Sequence, residues 1–364
     1  MLIVMQRRTL LVGAAAWSAG ANAPGARAAP LADALHFPAD FGAHPSTRTE
    51  WWYATGSVQG DGAQWGFQIT FFRSATGLAS EPPTRFDPAQ LVWAHAALTD
   101  LAHGRLRHDQ RMARAGFGIA QAQQGDTDVR LRDWQLQRVP AAGNAARSRY
   151  ASRVASAAGG FAWTLQFDAT QPVLLQGQGG VSRKGPDVAD VSRYYSEPQL
   201  AVQGELTVDG RPQAVRGRAW LDHEWSDAFV PSGAVGWDWV GMNLDQGGAL
   251  TAFRLRRADG TSLYAGGSYR APGAATWDFA PQEVAFMPQR AWKSPLTQTS
   301  YPVQWTLQTP QGRYTVRALL DAQELDTRTG PVYWEGLSEL LDASQHRVGL
   351  GYLEMTGYAA ELRL

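Results

Sequence analysis

Glu50-Trp51-Trp52-Tyr53-Ala54-Thr55-Gly56-Ser57-Val58-Gln59 runs through Gly60-Asp61-Gly62 into Trp65-Gly66-Phe67-Gln68-Ile69-Thr70-Phe71-Phe72-Arg73. In the second half Trp65, Phe67, Ile69 and Phe71 alternate with Gly66, Gln68, Thr70 and Phe72, the period of a strand with one apolar face. Asp-Gly between two such runs is a hairpin signal. The pattern returns later: Trp237 to Leu244, a turn at Asp245-Gln246-Gly247-Gly248, then Ala249 to Arg257. Both copies begin with closely spaced Trp and close an apolar strand on Arg. That echo points to an internal duplication.

Further strands are read at Leu91–Leu101, Val129–Leu136, Arg147–Ser156, Phe161–Phe167, Leu200–Val208 and Val215–Trp220. The second half continues with Ser262–Tyr269, Glu283–Trp292, Tyr301–Leu307, Arg313–Leu319, Tyr333–Leu341 and Val348–Tyr358. No segment carries the pattern of a long helix. Many short strands separated by turn signals make an all-β chain of sandwiches or barrels. Thr170–Ser196 is Gly-rich and long for a plain connection, and is read as a flap over a site or as the crossover between domains.

Composition narrows the class. The 364 residues suffice for two domains, and the formal net charge is zero, without the basic excess a nucleic-acid binder needs. At the N-terminus Arg7-Arg8 precedes a short apolar run, and small residues follow to Ala26-Arg27-Ala28, the pattern of a twin-arginine export signal over 1–29. The run is too short to span a bilayer. Removing 1–29 leaves 30 basic against 33 acidic residues. With no Cys, disulfides and thiol chemistry are excluded. A periplasmic or secreted location follows from the signal.

Neither Gly-x-Ser-x-Gly nor His-Glu-x-x-His occurs, and of the seven His only His103 and His108, flanking a turn, come near metal-ligand spacing, so serine-esterase, metal and cofactor readings have no motif behind them. What remains is Arg218-Ala219-Trp220-Leu221-Asp222-His223-Glu224-Trp225-Ser226 with Gly236-Trp237-Asp238-Trp239. Carboxyl groups among Trp walls gain a raised pKa and can do acid–base work. The same residue types also suit a structural network in which the carboxylates hold Trp N–H and Arg groups. On a strand His223 and Trp225 share one face and Trp220, Asp222 and Glu224 the other, and parity alone leaves open which face lines a cavity. Glu50, Glu335 and Glu354 carry the same ambiguity.

These motifs, together with Tyr333-Trp334-Glu335-Gly336 and Gly351-Tyr352-Leu353-Glu354-Met355-Thr356-Gly357-Tyr358, resemble the AttH-like family, whose members are described as predicted secreted hydrolases and which is related to carotenoid 1,2-hydratase. The resemblance spans nearly the whole chain after the signal. It implies two tandem lipocalin-like (calycin) β-barrel domains, taken here as 30–205 and 206–364, and a cavity for a lipophilic small molecule. It also implies an association with ABC transporters. His223 and Trp225 fit the His-x-Trp of the hydratase branch. That branch also carries a Tyr and an Asp on the strand after Trp-Asp-Trp, where this chain has Thr251-Ala252-Phe253-Arg254-Leu255-Arg256.

The expectation is therefore an acid–base enzyme, hydrolase or hydratase, needing neither metal nor cofactor. Asp238 is the expected acid, with His223 and Glu224 as its partners. Trp51, Trp52, Tyr53, Arg73, Tyr195, Trp225, Trp237, Trp239 and Glu354 are expected around the substrate. The competing reading is a periplasmic carrier of a lipid or other hydrophobic ligand. The test of the trio is whether its three side chains line one pocket.

Overall fold

Asp61 and Gly62 both take positive φ, 46° and 77°, which is what a two-residue turn joining right-twisted strands demands and what Asp-Gly tolerates. The hairpin they close is the first of a series in a computed structural model that describes residues 34–78, 84, 86–141, 144–327 and 330–362. The expected export signal lies outside the described residues.

The first series holds β1 (Thr49–Gly60), β2 (Ala63–Ala75), β3 (Gln90–Asp100), β4 (Arg105–Arg114), β5 (Ala120–Ala122), β6 (Asp128–Leu131), β7 (Trp134–Ala141), β8 (Asn144–Ser156) and β9 (Phe161–Asp168). Short β10 (Leu174–Leu175) and β11 (Val181–Arg183) precede the long β12 (Val191–Val208) and β13 (Arg211–Ser226). The second holds β14 (Gly236–Leu244), β15 (Ala249–Arg256), β16 (Ser262–Arg270), β17 (Trp277–Phe279), β18 (Ala285–Lys293), β19 (Ser300–Thr309), β20 (Gly312–Ala318), β21 (Glu324–Leu325), β22 (Tyr333–Leu341) and β23 (Arg347–Met355).

The strands form two separate antiparallel sheets. One runs β4-β3-β2-β1-β13-β12-β9-β8-β7-β6-β5, the other β17-β16-β15-β14-β23-β22-β20-β19-β18. Read from β1 and from β14 the two orders superimpose, with first and last long strands paired at the centre of each. Each sheet curls into a barrel or half-barrel, and in the first β3 and β4 pack against β5 and β6 to close the curl. The duplication read from one hairpin thus extends to the whole topology.

The division expected at residue 206 is corrected by this pairing. β13 runs to Ser226 and is bonded to both β1 and β12, so the first unit ends there and the second starts at Gly236. The Val129–Leu136 strand is split by a turn with Arg132 at φ 59°. Arg193 to Ser196 belong to β12, not to a loop. β4 is an added strand whose polar sequence hides any apolar period.

Each sheet wraps its own core: Trp52, Phe67, Ile69, Trp134 and Phe167 in the first, Trp305, Trp334, Val303 and Leu353 in the second. A third apolar cluster lies between them. Tyr53, Trp220, Trp239, Phe253, Leu337 and Tyr352 join the outer faces of the two sheets. Segment 170–190 crosses over this seam. Arg270 donates to the carbonyls of Pro172 and Val173, Ser268 to Gln176, and Gln171 to the carbonyl of Gly247.

Candidate active site between the barrels

Strand alternation decides what reaches the seam. On β1 and β13, Trp51, Tyr53, Asp222 and Glu224 point out of the first barrel, while Glu50, Trp52, His223 and Trp225 point in. On β14, Trp237 and Trp239 point toward the first barrel and Asp238 points into the second. The outward residues meet across the seam: Trp51 lies 6.0 Å from Trp237 between ring centroids, and Tyr53 stands edge-on to Trp239 at 5.5 Å. Around them opens a crevice with about 670 Å³ of space free of protein atoms, counting the part open to solvent. Phe72, Phe229, Phe253, Leu255 and Tyr333 complete its apolar wall.

Four carboxyl groups border this space, Asp222, Glu224, Glu335 and Glu354, against one cation, Lys184. Lys184 is engaged already, 2.7 Å from Glu224 Oε1, which Ser192 also meets. Burial raises Asp222 to about 7, although Ser196, Tyr194 and Trp220 all donate to it. Glu335 and Glu354 face each other in register on β22 and β23. Burial raises both, and the nearness of Glu354 raises Glu335 further, because two adjacent carboxylates away from water do not both ionise. Glu354, which borders the crevice and keeps part of its surface open, accepts from Trp237 Nε1 at 3.1 Å. Asp222, Glu335 and Glu354 thus hold their protons more tightly than ordinary carboxyl groups, walled by aromatic rings.

The AttH-like family model matches residues 28–358. A crystal structure of an AttH-type protein from Nitrosomonas europaea is similar at 43% identity with a TM-score of 0.81, over 90% of this chain and 98% of that one. The chain belongs to the AttH-like family. Kievitone hydratase from Nectria haematococca has the same fold at 14% identity, with a TM-score of 0.67 over 90% of this chain and 94% of its own. No curated protein matches the chain.

In this AttH-like chain the expected trio of Asp238, His223 and Glu224 is not brought together. Only Glu224 lines the crevice. Asp238 is buried in the second barrel, 2.6 Å from Arg254 Nε and 2.8 Å from the Tyr358 hydroxyl. His223 is buried in the first, with Nε2 2.8 Å from Glu50 Oε1 and Nδ1 3.1 Å from Tyr195. The duplication supplies the reason. Glu50 faces Arg73 in register on β1 and β2 as Asp238 faces Arg254 on β14 and β15, and each pair is a salt bridge. Asp238 is the second barrel's copy of a buried brace, and it does not line the crevice.

Of the expected binding residues, Trp51, Tyr53, Trp237, Trp239 and Glu354 line the crevice, while Trp52, Arg73, Tyr195 and Trp225 face the first barrel's interior. Asp222, Tyr194, Lys184, Tyr333 and Glu335 are site residues the expectation left out. Alternation from Glu224 would have found Asp222, and the Tyr333-Trp334-Glu335 motif already held Glu335. Among the described residues one group has metal-ligand types within reach, His44, Glu50 and His223. Its donors are turned on each other: Glu50 Oε1 accepts from both rings, Oε2 from Arg73 and from the His44 backbone N–H. Those two rings hold the Glu50 carboxylate below the ordinary range against the effect of its burial.

Proposed function

We propose that this AttH-like protein is an acid–base enzyme acting on a lipophilic small molecule held in the crevice between the barrels, adding or removing water as a hydratase does. The observation that carries this is the Glu335–Glu354 pair, two carboxyl groups sharing a site inside an aromatic wall. A group with its pKa raised toward the working pH is suited to give and take back a proton in one turnover. Glu335, 3% exposed, is the acid, and Glu354, reached by the crevice, receives the proton of the attacking water. The aromatic wall accepts the apolar body of the substrate and keeps bulk water from the carboxyls. The shared fold with kievitone hydratase, a hydratase by name, supports addition of water over hydrolysis.

Export is part of the same proposal, supported by Arg7-Arg8, the apolar run and Ala26-Arg27-Ala28. Fractionation of cells making the full chain, with and without Arg7→Lys plus Arg8→Lys, tests it; the paired change is expected to leave the protein in the cytoplasm.

For the reaction, protein is incubated with an apolar extract of its host in H₂¹⁸O and the extract is read by mass spectrometry. A compound that gains one labelled water with wild type and not with Glu335→Gln is the expected result. A lipid that co-purifies in stoichiometric amount and emerges unchanged would replace the enzyme with a carrier.

A further inference from the structure

Two polar atoms of the crevice are only weakly partnered. The Tyr53 hydroxyl and Glu335 Oε1 are buried, and neither makes a hydrogen bond of ordinary length and angle among the described residues. Their neighbours differ. Asp222 accepts three hydrogen bonds, Glu224 is held by Lys184 and Ser192, and Glu354 accepts from Trp237. Tyr53 comes from β1 of the first barrel and Glu335 from β22 of the second, and both line the same space. Each is within reach of the other, and Tyr53 also of Thr55, without attaining ordinary hydrogen-bond geometry.

Burial keeps both groups in their neutral forms, so each carries one O–H, and neither is held by a hydrogen bond of ordinary geometry. Two O–H groups converging from opposite walls form a preorganised seat for one acceptor oxygen. We propose that the seat between Tyr53 and Glu335 takes the carbonyl oxygen of an otherwise apolar substrate, a ketone or enone. The inference rests on the reading of the crevice as the substrate site. A carboxylate or phosphate would find no open cation here, since Lys184, the one cation among the described residues lining the crevice, is already engaged by Glu224. An ammonium group would bring donors to a place already furnished with donors. A neutral carbonyl oxygen has two lone pairs for the two O–H groups and no charge to desolvate.

The test uses two probes of one shape, 2-acetylnaphthalene and 2-isopropenylnaphthalene, which differ in a C=O against a C=CH₂. Dissociation constants are read from quenching of tryptophan fluorescence, Trp51, Trp237 and Trp239 being in the wall. Tyr53→Phe is expected to weaken the ketone about tenfold, the size of one well-placed hydrogen bond, and to leave the alkene within about twofold. Glu335→Gln keeps an N–H donor and retains ketone preference that Glu335→Leu loses, so the seat is also read without Tyr53→Phe. Equal effects of these changes on both probes, or none on either, would overturn the seat while leaving the crevice as a binding site. If neither probe binds wild type up to its solubility, the seat and the crevice reading fall together.

Discussion

Asp238 and Glu335 are both buried acids, yet their partners assign them opposite work. Asp238 has Arg254 at 2.6 Å and the Tyr358 hydroxyl at 2.8 Å, a closed set with nothing left to offer a ligand. Removing one side of a buried ion pair strands the other, so Asp238→Ala should lower unfolding free energy by about 3–5 kcal/mol in denaturant titration. The folded fraction should bind crevice ligands unchanged. Glu50→Ala should behave alike, since Glu50 and Arg73 form the equivalent brace at 2.7 Å. Loss of turnover in Asp238→Asn at full stability would show that the acid had been misplaced. Asp222 gives a pH signature. Its folded value of about 7 lies above the ordinary 3.8, so the folded state holds this proton where the unfolded chain has lost it. Stability from this group is complete below pH 4 and falls as pH rises toward 7. Asp222→Asn should therefore flatten the decline of unfolding free energy between those limits, measured across a pH series.

At the scale of the strand, Gly66 shows how closely the barrels dock. A Cβ there would stand 2.7 Å from the Tyr352 hydroxyl and 2.9 Å from Leu337 Cβ, both on the second barrel. Gly66→Ala should force the β2 face away from β22 and β23, lowering the melting temperature and weakening crevice ligands while each barrel keeps its strand content by circular dichroism. Unchanged binding would mean that the seam gives locally without opening the crevice. The hairpins were legible because Asp61-Gly62 and Asp209-Gly210 can take positive φ and the flanking residues alternate. β4 was not, because Arg105-Leu106-Arg107-His108-Asp109 has no apolar period and β4 is an edge strand. Alternation sorted Asp222 and Glu224 from His223 and Trp225 correctly. It could not tell inside from outside, since from Ala219 to Ser226 both faces of β13 are buried, one by its own barrel and one by the other.

For the whole molecule, the site lies where two copies of one topology turn their outer faces together, so neither half contains it. Trp51 and Tyr53 come from one barrel, Trp237, Trp239, Glu335 and Glu354 from the other. A seam built from Trp220, Trp239, Phe253, Leu337 and Tyr352 is core-like, and the two barrels should unfold in one calorimetric transition. Two well-separated transitions would mean that the seam contributes little to stability. The acid chemistry depends on Glu335 keeping its proton in that seam at neutral pH, held by burial and by Glu354 opposite. Infrared difference spectroscopy of wild type against Glu335→Gln at pH 7 reads this directly. Wild type should show the carbonyl stretch of one protonated carboxylic acid more than the variant does. A difference confined to the ionised-carboxylate bands would show Glu335 charged, and the acid assigned to the crevice would be contradicted.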